Sequence, residues 1–245
     1  MILDFTLDPM HMWFLGVLKR ILEYLLGDGP KISKLSTTLI NELDRRSKVI
    51  KSCIPCEFLS KMREVTSFNI YKAVEHGFFL KYCGPVILKK ILKPDAYNHF
   101  LLLHHACRLL SGKNPRVYIT EARKLLEDFV SQAPTFYGET FTSLNVHSLI
   151  HACDDIERID LNLTELSAFD FESYLYSMKQ DLRSPSRVLA QFCKRTQEKE
   201  LCNNKKVELK PEIEILSENL ITKEISRLFL MTTHLLLHIP IIQHC

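Results

Sequence analysis

Glycine is scarce in this 245-residue chain, at 7 residues, and there is one tryptophan. So few glycines leave little material for the hairpin turns of an all-β protein, and no run of alternating strands is visible. There is no glycine-rich phosphate loop, no nucleophile elbow and no dinucleotide fingerprint, which excludes the commonest nucleotide-dependent and serine-hydrolase chemistries. A secretory leader is not expected, because Asp4, Asp8 and His11 interrupt the first apolar residues. Charge of one sign is also lacking: 32 Lys and Arg stand against 29 Asp and Glu, a net +3. That excess does not by itself announce a nucleic-acid partner. The apolar stretch 228–242 carries His234, His238 and Pro240. It is shorter than the roughly 20 residues a bilayer span requires, so it reads as a docked helix or a read-through tail, and no membrane is expected.

What is present is helical periodicity. Trp13, Phe14, Val17, Leu18, Ile21, Leu22, Leu25 and Leu26 recur at three and four residues, giving one broad apolar face. Asp8-Pro9 reads as an N-cap with proline at the first helical position, and Gly27 to Pro30 ends the helix. Further helices are expected over 34–47, over 71–82 with a stop at Gly84-Pro85, and over 96–110. Others are expected over 120–132 with a stop at Ala133-Pro134, and over 145–159, 171–182 and 185–200. Segment 203–210 reads as a polar linker. The fold class is all-α. Eight dispersed cysteines and no leader point to free thiols in a reducing compartment.

Five groups of residues are candidates for chemistry. Asp8 and His11, three apart on a helix, share a face and can both face one metal ion; taken alone, the pair reads first as Asp8 capping the helix and His11 packing beside it. His147 and His151 lie one turn apart, as in helical zinc sites, but Ser148 follows the first histidine, so the metalloprotease motif is absent. The two pairs together supply four ligand types acceptable to tetrahedral zinc if the fold joins them. Cys53-x-x-Cys56 has metal or redox spacing without a second pair, so chance with Pro55 starting a turn is the preferred account. Glu172 falls in the first turn of a helix, where the macrodipole favours an acid without any catalysis. Finally, Lys179, Arg183, Arg187, Lys194, Arg195, Lys199, Lys205, Lys206 and Lys210 form a basic stretch that suits either phosphates or solvent.

The order of these features resembles the CACTA-type (CACTA/Mirage/Chapaev) DDE transposases. The residues that carry the resemblance are Asp8 to Arg20, Pro55 to Arg63, and Tyr71 to Glu75 followed by Phe79 to Pro85. Tyr97 to His104, Phe129-Val130, Tyr137-Gly138, Asn145 to His151, Ser167 to Leu175 and Leu189 to Glu198 complete it. The resemblance implies a helical insertion domain over 1–165, the C-terminal helices of an RNase H-like core over 166–202, and a linker and tail over 203–245. It implies that Asp8, His11, His147 and His151 hold a structural zinc and that Glu172 is the third catalytic acid. Arg183, Arg187, Lys194 and Arg195 are the implied DNA contacts, and the nucleus the implied location.

The parent family cuts and joins DNA with two magnesium ions held by three acids. The first two acids would precede Asp8, or Asp8 itself would be the second with the first still missing, so the expectation is a truncated element, inactive alone and without a small-molecule substrate. The Glu-x-Arg of relatives is Glu75-His76-Gly77 here. Two other readings stand beside this one: a domesticated DNA- or protein-binding helical module, and an unrelated all-α structural protein.

Overall fold

The computed structural model describes residues 6–27, 29–30, 32–54 and 63–207, the last five without side-chain detail. The expectations for Asp4, Cys56, Glu57, Phe58, the 208–245 tail and the side chains of Lys205 and Lys206 therefore lie outside the described residues. The protein is mostly helical, with no strand among the described residues. None of the described helices is long and apolar enough to cross a membrane. The chain divides into two compact units, Met1–Ser173 and Tyr174–Cys245.

The first unit begins with a wide π-helical segment, Met10–Leu18, that continues as α1, Lys19–Leu26. The side chain of Asp8 accepts from the amides of Met10 at 3.1 Å and His11 at 3.2 Å, which satisfies donors that a helix start leaves without partners. Trp13, Val17, Leu18, Ile21 and Leu22 are essentially inaccessible to solvent, so the apolar stripe read from the sequence is a core face. Helix α2, Thr37–Cys53, starts at Ser36, whose hydroxyl faces the Leu39 amide.

Helix α3, Ala73–Phe78, runs into a second π segment, Phe79–Cys83, and then into α4, Gly84–Leu88. The stop expected at Gly84-Pro85 does not occur. Proline has no amide hydrogen, and the widened turn before it absorbs the missing bond. Gly84 itself is a point of close approach. A Cβ there would lie 2.8 Å from the Phe79 carbonyl oxygen and 2.9 Å from Phe100 Cζ. Both neighbours are walled in, since Phe79 and Phe100 are fully buried. Gly84→Ala is therefore expected to destabilise the chain by about 1–3 kcal/mol despite alanine's better helix propensity. A thermal-denaturation midpoint equal to that of the parent chain would refute this.

The longest pairing is between α5, Pro94–Leu110, and α6, Ile119–Tyr137. Phe100, Leu103, Ala106, Cys107 and Leu110 face Ala122, Leu126, Phe129 and Ala133, all at 0% exposure. Helix α6 also passes through its expected stop at Pro134. Only one intrahelical bond is lost there, and Phe129, Ala133 and Tyr137 hold both sides of the proline in the core. It ends at Gly138, whose φ of 89° is the left-handed region that favours glycine.

The helix expected over 145–159 is divided: α7 is Leu144–Ser148, a 3₁₀ turn covers Leu149–His151, and α8 is Ala152–Ile159. Helix α9, Phe169–Asp181, has no buried residue and crosses the boundary between the units. Helix α10, Val188–Val207, continues through much of the expected 203–210 linker. Lys and Asn at 203–206 are polar yet compatible with a helix once the helix is already nucleated.

Candidate functional site

The start of the chain, the 145–155 block and the segment before α9 meet in the first unit. The Leu7 amide donates to Asp155 on α8 at 2.9 Å, and the Ala168 amide donates to Asp8 Oδ1 at 2.8 Å. Segment Met10–Leu18 packs on α7 closely enough that a Cβ on Gly16 would sit 2.7 Å from Asn145 Nδ2. Residues distant in sequence are thus brought into one neighbourhood by backbone-to-carboxylate bonds and by a close helix contact.

Within it, the His11 ring Nδ1 and Asp8 Oδ2 form a short hydrogen-bonded ion pair. That bond raises the His11 pKa above its ordinary value against partial burial, and the charges of Asp8 and Glu172 raise it further. Burial pushes Asp8 upward, but its bonds to His11, Ala168 and Met10 prevail, so its carboxyl lies below the ordinary range. Both Asp8 oxygens are engaged by two N–H donors each, which fits the capping role of this residue.

The rings of His147 and His151 lie 5.5 Å apart, edge to face. His147 is exposed and His151 half-buried, and His151 Nδ1 lies 3.4 Å from Asp154. The 3₁₀ turn between them shifts the second ring away from the strict one-turn stacking of an α-helix. Each pair is therefore formed. Among the described residues, however, no three His, Cys, Asp or Glu side chains converge as one metal-binding group. A four-ligand zinc shell at about 2 Å requires the two pairs to draw together.

Glu172 is exposed in the first turn of α9, and its charge reaches His11. Cys53 is an exposed thiol. Cys107 and Cys153 are buried thiols, both pushed up by burial to about 11, which makes them poor nucleophiles at neutral pH.

In the second unit, Arg183, Arg187 and Lys194 are exposed, whereas Arg195 is half-buried and bonded to Glu198 at 2.5 Å. Lys199 is paired with Asp181 at 2.6 Å. Of the four implied DNA contacts, three present their charge to solvent and Arg195 has a carboxylate partner already.

One group escaped the sequence reading. Lys81, on the second π segment, feels the charge of Arg108 on α5, and Arg108 in turn acts on His104 of the same helix. The only sequence signal was His104 and Arg108 at one-turn spacing, and nothing there pointed to Lys81.

No family model, no curated protein and no solved structure matches this chain.

Proposed function

We propose that the chain is a transposon-derived remnant: the zinc-binding helical insertion domain of a CACTA-type DDE transposase with the helices that follow it. The observation that supports this best is the meeting of Asp8 and His11 with the charge of Glu172, more than 160 positions away, beside the 145–155 block. The donor types suit zinc, and each pair is preformed at an accessible surface. Asp8, His11, His147 and His151 would hold the ion, which would tie the first helical segment to the 144–159 region. The ion's role is structural: with four protein ligands it keeps no position open for substrate.

Two catalytic metal ions need several carboxylates to hold them. Among these residues the resemblance offers Glu172 as an acid that would join such a set, and magnesium would belong to an intact parent enzyme. The exposed apolar residues of α9 and α10 favour the same reading. Tyr174, Leu175, Tyr176, Leu189 and Leu201 are 42–74% exposed, as expected of helices made to pack on a larger core.

Metal content of the purified chain is the test. One zinc per chain is expected, with a fall to near zero in His147→Ala and in His151→Ala and a lower thermal midpoint in both. A metal-free chain that unfolds at the same temperature with and without zinc would sink the zinc centre.

A second reading, a DNA-binding helical module, is favoured by the exposed charges of Arg183, Arg187 and Lys194. It predicts affinity that falls as salt rises.

A further inference from the structure

The connection between α9 and α10, within the second unit, carries Arg183-Ser184-Pro185-Ser186-Arg187. Of the 10 prolines in the sequence, only Pro185 follows a serine or threonine, so this pair has no second copy in the chain. All five residues are exposed. Proline restricts its own φ and pushes the residue before it towards extended backbone. Ser184 is thereby biased towards a conformation that can be laid along the groove of another protein.

One side chain holds this segment closed. Gln191, in the first turn of α10, donates from Nε2 to the Ser184 hydroxyl at 3.0 Å and the Ser184 carbonyl at 3.1 Å. The same nitrogen reaches the Ser186 carbonyl at 2.5 Å, and Gln191 Oε1 accepts from the Arg183 amide at 2.9 Å. The Ser184 hydroxyl in turn donates to the Ser186 carbonyl at 3.4 Å. Its proton and one lone pair of Oγ are therefore both engaged. These are neutral hydrogen bonds at an exposed surface, each weak once exchange with water is counted. Arg187 sits at a φ of 52°, in the left-handed region that is unfavourable for a residue with a Cβ. Opening the turn relieves that conformation, so the segment is latched by Gln191 rather than built into a core.

We propose that Ser184 is a phosphorylation site for a proline-directed serine kinase, with Arg187 as a second recognition element and Gln191 as the latch that limits access. Pro185 presents a ring and no amide hydrogen. A substrate groove with an apolar pocket and no amide acceptor at that position admits proline and disfavours other residues. Arg187, three residues after Ser184, supplies a permanent charge for an anionic contact. In the reaction, Ser184 Oγ attacks the γ-phosphorus of a magnesium-bound nucleoside triphosphate. The Oγ–P bond forms, the bridging bond to the β-phosphate breaks, the hydroxyl proton passes to a carboxylate of the kinase, and the diphosphate leaves. The product carries nearly two negative charges at neutral pH, set between Arg183 and Arg187. It also lies beside a first turn of α10 that holds no acid, where an anion is favoured. Nothing in this depends on the zinc centre or on the transposase reading.

The test is incubation of the full chain with magnesium, ATP and a purified proline-directed serine kinase, read by intact mass and by mapping the modified peptide. One phosphate on Ser184 is expected, and none in Ser184→Ala. Pro185→Ala is expected to slow transfer about tenfold or more, and Arg187→Ala about fivefold. Gln191→Ala is expected to speed transfer about fivefold, because the hydroxyl starts free of its latch. All these positions are at the surface, and the thermal midpoint of each variant is compared with that of the parent chain. A rate in Pro185→Ala equal to that of the parent overturns the proline-directed assignment, and an unchanged rate in Gln191→Ala overturns the latch. Phosphate found on Ser186, placed there by a kinase that reads Arg183 three residues before it, overturns the site. So does the absence of transfer to both the parent chain and Gln191→Ala.

Discussion

Lowering the pH from 7 to 4 is expected to remove about 3 kcal/mol of stability for each of two buried histidines, His76 and His99. His76 is 0% exposed and His99 is 1% exposed. Burial holds the His76 pKa at about 4, with the charge of Lys19 helping and the Phe68 carbonyl opposing without closing a well-formed bond. Burial also lowers His99 to about 4, against its 2.9 Å contact with the Phe129 carbonyl. The His99 ring stacks on Phe129 at 4.5 Å and leaves Nδ1 without a partner among the described residues.

Both imidazoles are therefore neutral in the folded chain, while the unfolded chain takes up protons near 6.5. Between about 6.5 and 4 the unfolded state binds more protons, so stability falls as pH falls through that window and levels off below 4. His11 acts in the opposite sense: its raised pKa gives stability that is full below 6.5 and lost as pH rises through the folded value. Its side chain is 55% exposed, so that contribution is small. The lowered carboxyl of Asp8 acts in a lower window, losing stability as pH falls below about 3.8.

Urea midpoints followed by Trp13 emission at a series of pH values provide the measurement. His99→Gln keeps a donor for Phe129 and removes one titrating ring, so it should remove about half of the acid loss. Midpoints running parallel in the parent and the variant between pH 6.5 and 4 would show that His99 is not the cause.

Which parts of this were legible in the sequence follows from how local each signal is. The apolar face from Trp13 to Leu25 is periodic within one helix and is buried as read, and the helix expected over 96–110 is formed, with Phe100, Leu103, Cys107 and Leu110 on its buried side. The Asp8 cap is local too, and its carboxylate does hold the first amides. The stops expected at Pro85 and Pro134 do not occur: proline breaks isolated helices, whereas here packing around Phe79, Phe100, Phe129 and Tyr137 outweighs one missing bond. The division of 145–159 by a 3₁₀ turn leaves no mark in a pattern of apolar residues. The approach of Asp8 to Ala168, and of Lys81 to Thr164, depends on tertiary placement alone, and no spacing rule within one helix reaches it.

Trp13→Ala is expected to destabilise the first unit by about 3–5 kcal/mol. Trp13 is 0% exposed on the segment Met10–Leu18 and is the largest side chain in the core. Its removal leaves a cavity bordered by neighbours that are themselves fixed, Val17 and Leu18 among them at 0% exposure. For a unit of this size the thermal midpoint should fall by about 10 °C or more, followed by far-UV circular dichroism because the only tryptophan is gone. Trp13→Phe should cost much less, since it refills most of the space and also deletes an indole N–H that has no partner among the described residues. The same segment carries His11 two residues before Trp13 and Phe14, the ring beneath Lys81, one residue after it. Loosening it should therefore lower the His11 pKa towards 6.5 as the Asp8 pairing weakens, a change visible in the histidine proton resonances. A Trp13→Ala chain that melts within about 2 °C of the parent would mean that this segment is not anchored through its indole. In that case the preformed Asp8–His11 pair would need another source of rigidity.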